Sequence, residues 1–475
     1  MPRVLALLFL LLGSLAHAET PPDVTLIVVN AQGWEESTAR RADGEGTPRL
    51  DTLAREGMTF RHYLAGPVAE TALAEFLSGR FAYLSGVSGN THGEHVLPSP
   101  VLTLGEVFRE NGYRTAFLGA WKNGENWPHV PEAQGFETTG PATVDGASAF
   151  LGDSTKQPGL LVLSLEDGAA AEHFLAADPW TRTDREHLLV YVGAAVSDRV
   201  EGEWEENTVR LQGSVGSVHE GGMRTPCVVR WPGRVTPGST FDRIAAPYDW
   251  LPTLVDWLGL ALPGEYETEF SGISLAPALD GGGRPARWPN RILCAAWTPP
   301  GFDTGNASVA VRTDRWLAVR DRRWSLDPVS AETFAGWELY DRQSDPWQRH
   351  NLAEEYPYLL SDMRADFAYW MDRATRFGLR PVPTELGHPE WPVVRLASGR
   401  RTVTGEWPLR VIRAGSWMVE GEGAAFPLSL TVGQEGITWE SGSAEPLKLE
   451  KGDLSLRLDT DTEFDGAIIL RWDVD

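Results

Sequence analysis

The feature that most constrains the fold is an alternation between short, continuously apolar runs and amphipathic segments with helical spacing. The run Asp23–Asn30 (DVTLIVVN) is rich in β-branched residues and stops abruptly, as a buried parallel strand does. The runs GLLVLSL and HLLVYVGAA have the same character. Strands that alternate with helices in this way form a sheet covered on both faces. The sequence therefore predicts an α/β fold with a mixed, mostly parallel sheet sandwiched by helices.

Two segments between these runs predict helices. TPRLDTLAREGMTF begins with a Thr-Pro pair, which is typical of a helix start, and places Leu50 and Leu53 on one face. TLGEVFRENGYRTAFLGAW predicts a helix, a stop at Gly112 and then a strand from Thr115 to Leu118. The same strand–helix unit is thus used more than once.

The character of the chain changes after about residue 280. SVAVRTDRWLAVRD and WELYDRQSDP favour antiparallel strands, and the amphipathic segment that follows them predicts a helix ended by Gly378. Residues 381–392 are rich in proline and turn residues and predict a linker. Beyond it, period-two alternation predicts an all-β appendage. We therefore divide the chain into residues 1–18, a signal peptide; 23–280, an α/β domain; 281–380, a small antiparallel sheet and helix subdomain; and 393–475, the appendage.

The first 18 residues read as a secretory signal. Arg3 supplies the positive end, Val4–Leu12 the apolar run, and Ala16-His17-Ala18 a small-residue cleavage site. That run is too short to span a bilayer, although an N-terminal anchor stays open as an alternative. The net charge of −24 disfavours nucleic acid and anionic membrane as partners. We expect a periplasmic or secreted protein with no membrane span.

Two cysteines are present, Cys227 and Cys294, and each lies in an apolar run. Such cysteines usually pack as small hydrophobic residues, so we interpret both as structural. An exported compartment would permit a disulfide, but a single pair would not hold a fold of this size together.

Eight segments, in this order along the chain, resemble the sulfatase family of the alkaline-phosphatase superfamily and cover most of residues 23–378. They are LIVVNAQGW, TPRLDTLAREGMTF, FLSGR, TLGEVFRENGYRTAFLGAW, HEGGMRTPCVVRWPGRVTPGS, YDWLPTLVDWLGLALP, SGISLAPAL and WELYDRQSDPWQRHNLA. The resemblance implies an alkaline-phosphatase-like fold. In the family, a cysteine converted to formylglycine attacks the sulfur of a sulfate ester, a calcium ion grips the sulfate, and Lys and His stabilise charge.

The positions that carry the family's nucleophile and its cationic donors hold other residues in this chain. Counted back from the Gly-Arg pair of FLSGR, the cysteine falls on Ala69 and its arginine on Leu73. One lysine falls on Ala120, the histidine on Lys122 and a second lysine on Val215. The resemblance therefore implies that this part of the site is degenerate.

The calcium ligands are replaced as well. The pair of aspartates that ends the first strand of the family falls on Asn30 and Ala31, and the later pair falls on Ala194 and Ala195. In the family, a long segment with its own helix separates the strand that matches GLLVLSL from the strand that matches HLLVYVGAA, whereas we expect this chain to cross in a short loop. We expect neither calcium nor formylglycine as a cofactor.

Three polar residues remain as candidate groups of the residual cleft: Thr71, Glu166 and Arg224. Relatives in the superfamily use Thr as a nucleophile beside two zinc ions, which need roughly six Asp and His ligands. Without such ligands, Thr71 is better interpreted as surface and helix-start chemistry. Arg224 favours a structural salt bridge with Glu220.

The pair His92 and His95 could suit a metal, but no third ligand follows at a suitable spacing, so a solvated loop is favoured.

These observations predict a sulfatase-family protein that has lost sulfuric ester hydrolysis and acts by binding. The partner would be a glycan or another exported protein. The alternative is an active sulfatase-like or phosphatase-like ester hydrolase with a rearranged site, which would require metal and donor groups in other positions.

Overall fold

The structure is a computed structural model that describes most of the chain after the predicted signal segment. The described ranges are 20–37, 46–89, 94–153, 157–182, 185–197, 211–264, 270–297, 307–321, 336–376, 381–397, 402–422, 428–432, 435–439, 446–464 and 466–473. Residues 1–18, His92 and Gly378 lie outside them.

The centre of the molecule is an eight-stranded, mostly parallel sheet, which confirms the predicted fold class. Its strands are β1 (Asp23–Ala31), β2 (Met58–Tyr63), β3 (Arg114–Gly119), β4 (Thr138–Gly140), β5 (Gly159–Asp167), β6 (His187–Gly193), β7 (Cys227–Arg230) and β8 (Ser239–Ala245). Their order is β4-β3-β5-β1-β6-β7-β2-β8. In this order β7 runs antiparallel to both of its neighbours, β6 and β2. The apolar strand β1 is central, which explains why its side chains are buried on both faces.

Helices cover both faces of this sheet. The helices of this part of the chain are α1 (Trp34–Ser37), α2 (Pro48–Glu56), α3 (Ala69–Ser78), α4 (Ala82–Ser85), α5 (Leu104–Glu110), α6 (Val144–Leu151), α7 (Gly168–Ala177), α8 (Glu220–Met223), α9 (Trp250–Leu258) and α10 (Ala276–Asp280). Short 3-10 turns lie at Pro131–Gln134, Pro179–Arg182 and Pro247–Asp249. Val28 of β1 belongs to the core that contains Leu73 of α3, and Val29 to the opposite core, which contains Leu53 of α2.

The expectation of a short loop between β5 and β6 is wrong, because this segment contains helix α7. The Asp167 side chain caps the helix by accepting a hydrogen bond from the backbone N–H of Ala170 at 2.9 Å. The alanine-rich sequence that follows has a high helix propensity. Since β5 and β6 flank β1 and run parallel to it, the connection must also cross over β1.

A smaller antiparallel sheet follows the large one. It consists of β9 (Leu293–Trp297), β10 (Ser308–Arg312), β11 (Trp316–Arg320) and β12 (Glu338–Asp341), in the order β12-β11-β10-β9. Helix α11 (Pro357–Thr375) packs on it through Met363, with Phe367 and Trp370 partly buried beside it. Cys227 and Cys294 are both free and buried.

The C-terminal part forms two packed, mostly antiparallel sheets. Its strands are β13 (Thr384–Leu386), β14 (Val393–Ala397), β15 (Thr402–Val411), β16 (Gly415–Glu422), β17 (Leu428–Val432), β18 (Glu435–Trp439), β19 (Pro446–Leu449), β20 (Gly452–Phe464) and β21 (Ala467–Asp473). The sheets are β13-β15-β20-β17-β18 and β14-β21-β16-β19, with Trp417 and Leu470 in a shared core. Strand β13 lies inside the predicted linker and pairs in parallel with β15, so that part of the linker belongs to the sandwich.

None of the helices in the described ranges is both long enough and apolar enough to cross a membrane.

Candidate functional site

The residues singled out from the sequence gather at one edge of the large sheet, where β1, β3, β5 and β6 end and α3 begins. Ala69 is the first residue of α3 and is partly buried against the core. Leu73, one turn later, is fully buried in that core. A methyl group and an isobutyl group thus lie at the two positions to which the sequence analysis assigns the family's cysteine and arginine.

The ends of β1 and β6 are joined by backbone hydrogen bonds. The N–H of Ala194 donates to the carbonyl of Val29 at 2.8 Å, and the N–H of Gln32 donates to the carbonyl of Ala195 at 2.9 Å. These bonds place the end of β1, with Asn30 and Ala31, beside the residues that follow β6, Ala194 and Ala195. That these four positions correspond to the family's metal ligands stays a prediction from the sequence.

The residues present do not fit a calcium ion. Calcium takes six to eight oxygen ligands, and Ala31, Ala194 and Ala195 have no side-chain oxygen. The fourth of the predicted ligand positions holds Asn30. Its Nδ2 donates a hydrogen bond to Ser164 Oγ at 3.2 Å, and its Oδ1 has no hydrogen-bond partner. Within the described ranges, no group of three or more His, Cys, Asp and Glu side chains could hold a metal ion.

Lys122 and Glu166 face each other across the ends of β3 and β5. The Lys122 Nζ lies 4.0 Å from Glu166 Oε2, with 30% and 70% of the two side chains exposed. The carbonyl of Ala120 accepts a hydrogen bond from Ser164 Oγ at 2.7 Å. Val215 is half-buried on a loop held close to the start of α3, because the N–H of Gly216 donates to Pro67 at 3.0 Å.

Thr71 is buried, so the interpretation of this residue as surface chemistry is wrong. Its Oγ1 donates to the carbonyl of Val68, the N-cap residue, at 2.9 Å. It lines a cavity of about 20 Å³, room for roughly one water, together with Glu75 and Arg312. The side chain points inward because α3 is buried along nearly its whole length. Thr71, Glu166 and Arg224 thus have separate immediate partners.

Glu75 is an ionisable group that the sequence reasoning missed. It lies in the buried part of α3, and its Oε1 accepts a hydrogen bond from the Ala82 N–H at 3.2 Å. Burial raises the pKa of Glu75 to about 8, so its neutral form predominates at pH 7. The available signal was a single carboxylate inside the apolar run LAEFL.

The predicted pairing of Glu220 with Arg224 is present, at 3.9 Å, within a larger cluster. Arg312 Nη1 lies 2.8 Å and Arg342 Nη2 lies 3.1 Å from the Glu220 carboxylate. Burial acts to raise the pKa of Glu220, but the guanidiniums of Arg342, Arg312 and Arg224 outweigh it and hold this pKa below its ordinary value. The Arg224 guanidinium also stacks 4.3 Å from the Trp34 ring. This geometry fits the structural role expected for the motif.

The loop after β3 connects the start of α3 with the C-terminal sandwich. Asn123 Nδ2 donates to the carbonyls of Glu70, at 2.9 Å, and His95, at 3.0 Å. Further along, Asn126 Nδ2 donates to the Arg395 carbonyl at 2.8 Å, and Asn126 Oδ1 accepts from the Arg395 N–H at 3.0 Å. One loop therefore touches both α3 and strand β14.

Comparisons with known proteins give a consistent result. The Sulfatase family profile matches residues 22–166, and the profile of the C-terminal part of N-sulphoglucosamine sulphohydrolase matches residues 216–368. The chain is 22% identical to N-acetylgalactosamine-6-sulfatase of Canis lupus familiaris over 365 residues, 56% of this chain and 67% of that protein. It is 24% identical to Homo sapiens arylsulfatase A over 498 residues, 82% of this chain and 95% of that protein.

Among solved structures, that of Ps i-CgsB in complex with k-i-k-neocarrahexaose superimposes with a TM-score of 0.60 at 19% identity. The match covers 74% of this chain and 92% of that one. At this level of identity the similarity concerns the fold.

Proposed function

Since this chain belongs to the sulfatase family, with its alkaline-phosphatase-like fold, we propose that it is a member without sulfuric ester hydrolase activity that acts by binding in an exported compartment. The observation that carries the proposal is Ala69 at the start of α3. A methyl side chain cannot be converted to the aldehyde hydrate that attacks sulfur.

The surroundings of Ala69 support the same proposal. In enzymatic ester hydrolysis, a metal ion and cationic donors stabilise the negative charge that develops on oxygen atoms, and these groups act as a unit. Alanines stand at three of the four calcium-ligand positions, and Leu73 replaces the arginine. Lys122 remains as a cation, but Glu166 lies 4.0 Å from it.

A glycan is the partner class that we propose. Ps i-CgsB, which shares the fold, was solved with an oligosaccharide, and the proposed signal segment would deliver this chain to a compartment where glycans occur. The net charge of −24 argues for selective contacts rather than general attraction of anionic polymers.

The test is an assay of aryl sulfate turnover by the full chain, coexpressed with a formylglycine-generating enzyme. We expect no turnover above a buffer control, and none from Ala69→Cys even after mass spectrometry has confirmed the aldehyde. Turnover by the wild-type chain that disappears in Lys122→Ala or Thr71→Val would overturn the proposal. Turnover by Ala69→Cys would mean that the rest of a working site survives.

A further inference from the structure

A groove of about 510 Å³ lies between the outer strand of the large sheet, β4, and helix α6. Its lining includes Leu118 of β3, all three residues of β4, and Gly146, Ala149 and Phe150 of α6. None of the residues assigned to the degenerate sulfatase site lines this groove. Its volume falls within the range of about 300–1,000 Å³ that is typical of ligand sites, so the groove is a second, separate candidate for binding.

The groove is open because the residues that face it are small. Gly146 and Ala149 lie three positions apart on α6 and therefore share one face of that helix. A Cβ atom at Gly140 would meet no atom within 4 Å. One at Gly146 would meet the side chains of Thr143, at 2.9 Å, and Leu118, at 3.7 Å. Side chains normally fill the space between a sheet and a helix, whereas this space is available to the side chains of another chain.

Strand β4 has one edge along which no strand pairs within the described ranges. It stands at the end of the strand order and pairs in parallel with β3 through Thr138, Thr139 and Gly140. The outward-pointing backbone groups of such an edge can pair with an added strand. Pro141, which has no N–H, follows β4 directly, so this edge suits a short segment better than a further sheet.

Carboxylates outnumber guanidiniums around the groove. Arg114 Nη1 lies 3.6 Å from Asp153 Oδ2, which offsets its positive charge. Glu137 and Glu132 accept hydrogen bonds from neutral donors, a backbone N–H of β3 at 3.3 Å and a hydroxyl of β4, and such donors leave the negative charge in place. These two carboxylates favour a basic occupant over an acidic one, as does the net charge of −24.

We propose that this groove binds an extended, basic segment of a partner protein, which adds to the outer edge of β4 as a further strand. Main-chain hydrogen bonds to β4 hold the segment in register. Successive side chains of a strand point to opposite faces, so every second side chain of the segment faces the space beside Gly146 and Ala149. Its basic side chains meet the carboxylates of Glu132 and Glu137. The groove lies apart from the cleft proposed for a glycan, so this inference goes beyond the proposed function and does not depend on it.

The experiment measures binding of labelled hexapeptides to the full chain by fluorescence anisotropy at about 150 mM salt. The probes are an alternating Lys-Val peptide, an alternating Glu-Val peptide, and two N-methylated forms of the Lys-Val peptide, one methylated at the valines and one at the lysines. We expect the Lys-Val peptide to bind about tenfold or more tightly than the Glu-Val peptide. No binding of the Lys-Val peptide at about 1 mM, or equally tight binding of the Glu-Val peptide, overturns the inference.

The N-methylated peptides separate strand addition from attraction by charge alone. The N–H groups of alternate residues point to opposite edges of a strand, and one edge of the bound segment faces β4. One methylated form should therefore lose about tenfold in affinity, while the other stays within about threefold of the Lys-Val peptide. Equal affinities of the two methylated forms would contradict strand addition.

Hydrogen exchange of the full chain locates the contact. The Lys-Val peptide should protect the segment that contains β4, and protection elsewhere without protection of β4 overturns the assignment. Maltohexaose, tested in the same way, represents the other class of polymer. Protection of β4 by maltohexaose and not by the Lys-Val peptide would refute a peptide as the occupant.

Two variants test the groove itself. Ala149→Trp fills it from an exposed helical position and should weaken binding of the Lys-Val peptide about tenfold. Ala365→Trp, the same change at an exposed position of α11, is the matched control and should leave affinity within about twofold. Glu137→Gln removes a charge without adding bulk and should weaken binding about threefold. Wild-type affinity in both Ala149→Trp and Glu137→Gln would refute the proposal.

Discussion

Replacing Glu220 by Gln tests how the two halves of the main body are held together. Glu220 lies in α8, while Arg312 and Arg342 come from the smaller sheet and the turn that follows it. The two guanidiniums are 1% and 4% exposed. Glu220→Gln removes the carboxylate that both guanidiniums share, and breaking a buried ion pair in this way typically costs about 3–5 kcal/mol.

The expected change in melting temperature follows from the size of the unit. An unfolding entropy of about 2.1 cal/mol/K per residue gives about 0.7 kcal/mol/K for a body of about 350 residues, so Glu220→Gln should lower Tm by about 4–7 °C. The matched control is Asp453→Asn, which removes an exposed pair with Arg410 and should leave Tm unchanged. Differential scanning calorimetry at pH 7 measures both variants.

The pH dependence provides a second check on the same residue. The pKa of Glu220 is lowered in the folded state from an ordinary value of 4.5. Its stabilising contribution is therefore fully present above pH 4.5 and is lost as the pH falls towards the folded pKa. The Tm difference between wild type and Glu220→Gln should narrow in that acidic range. A variant within 1 °C of wild type at pH 7, or a gap that widens in acid, would refute the reasoning.

Three further predictions concern calcium, Glu75 and the sandwich. Calcium should not raise Tm, because Ala31, Ala194 and Ala195 offer no side-chain oxygen ligands. A shift reversed by a chelator would contradict this. Glu75→Gln should raise Tm at pH 8 to 9 and have little effect near pH 5. The reason is that the stability of the folded protein with a neutral Glu75 is fully present below pH 4.5 and is lost as the pH rises through about 8, the pKa of the buried carboxyl. Calorimetry across this pH range tests the prediction. Asn126→Ala should give the sandwich a separate calorimetric transition at lower temperature, and a single unchanged transition would rule out coupling through this residue.

The parts of the fold that could be predicted from sequence are those with a local signal. Strand β1 and helix α2 have clear apolar periodicity or a Thr-Pro start, and both occur where expected. Helix α7 lies where a short loop was expected, because that expectation compared only the length of the segment with the longer one of the family. The alanine-rich composition of the segment and the Asp167 cap indicate a helix.

The sequence placed the candidate positions at strand ends but did not reveal their environment. The backbone bonds of Ala194 and Ala195 show that two of these strand ends are neighbours. The burial of Thr71 and the approach of Arg312 and Arg342 to Glu220 depend on contacts between distant segments, which no local pattern encodes. Arg342 and Glu220, for example, are 122 residues apart. Whether the degenerate positions abolish catalysis remains a prediction for the turnover assay.

The carboxamide of Asn126 has a consequence for solubility during folding. Strand β14 is at the edge of its sheet, and such an edge exposes backbone groups that can pair with another chain. Asn126 donates to the carbonyl and accepts from the N–H of the same residue, Arg395, as a neighbouring strand would. A chain in which the sandwich forms before the α/β body would present this edge uncovered. We therefore expect self-association to be greatest in the interval between folding of the two parts.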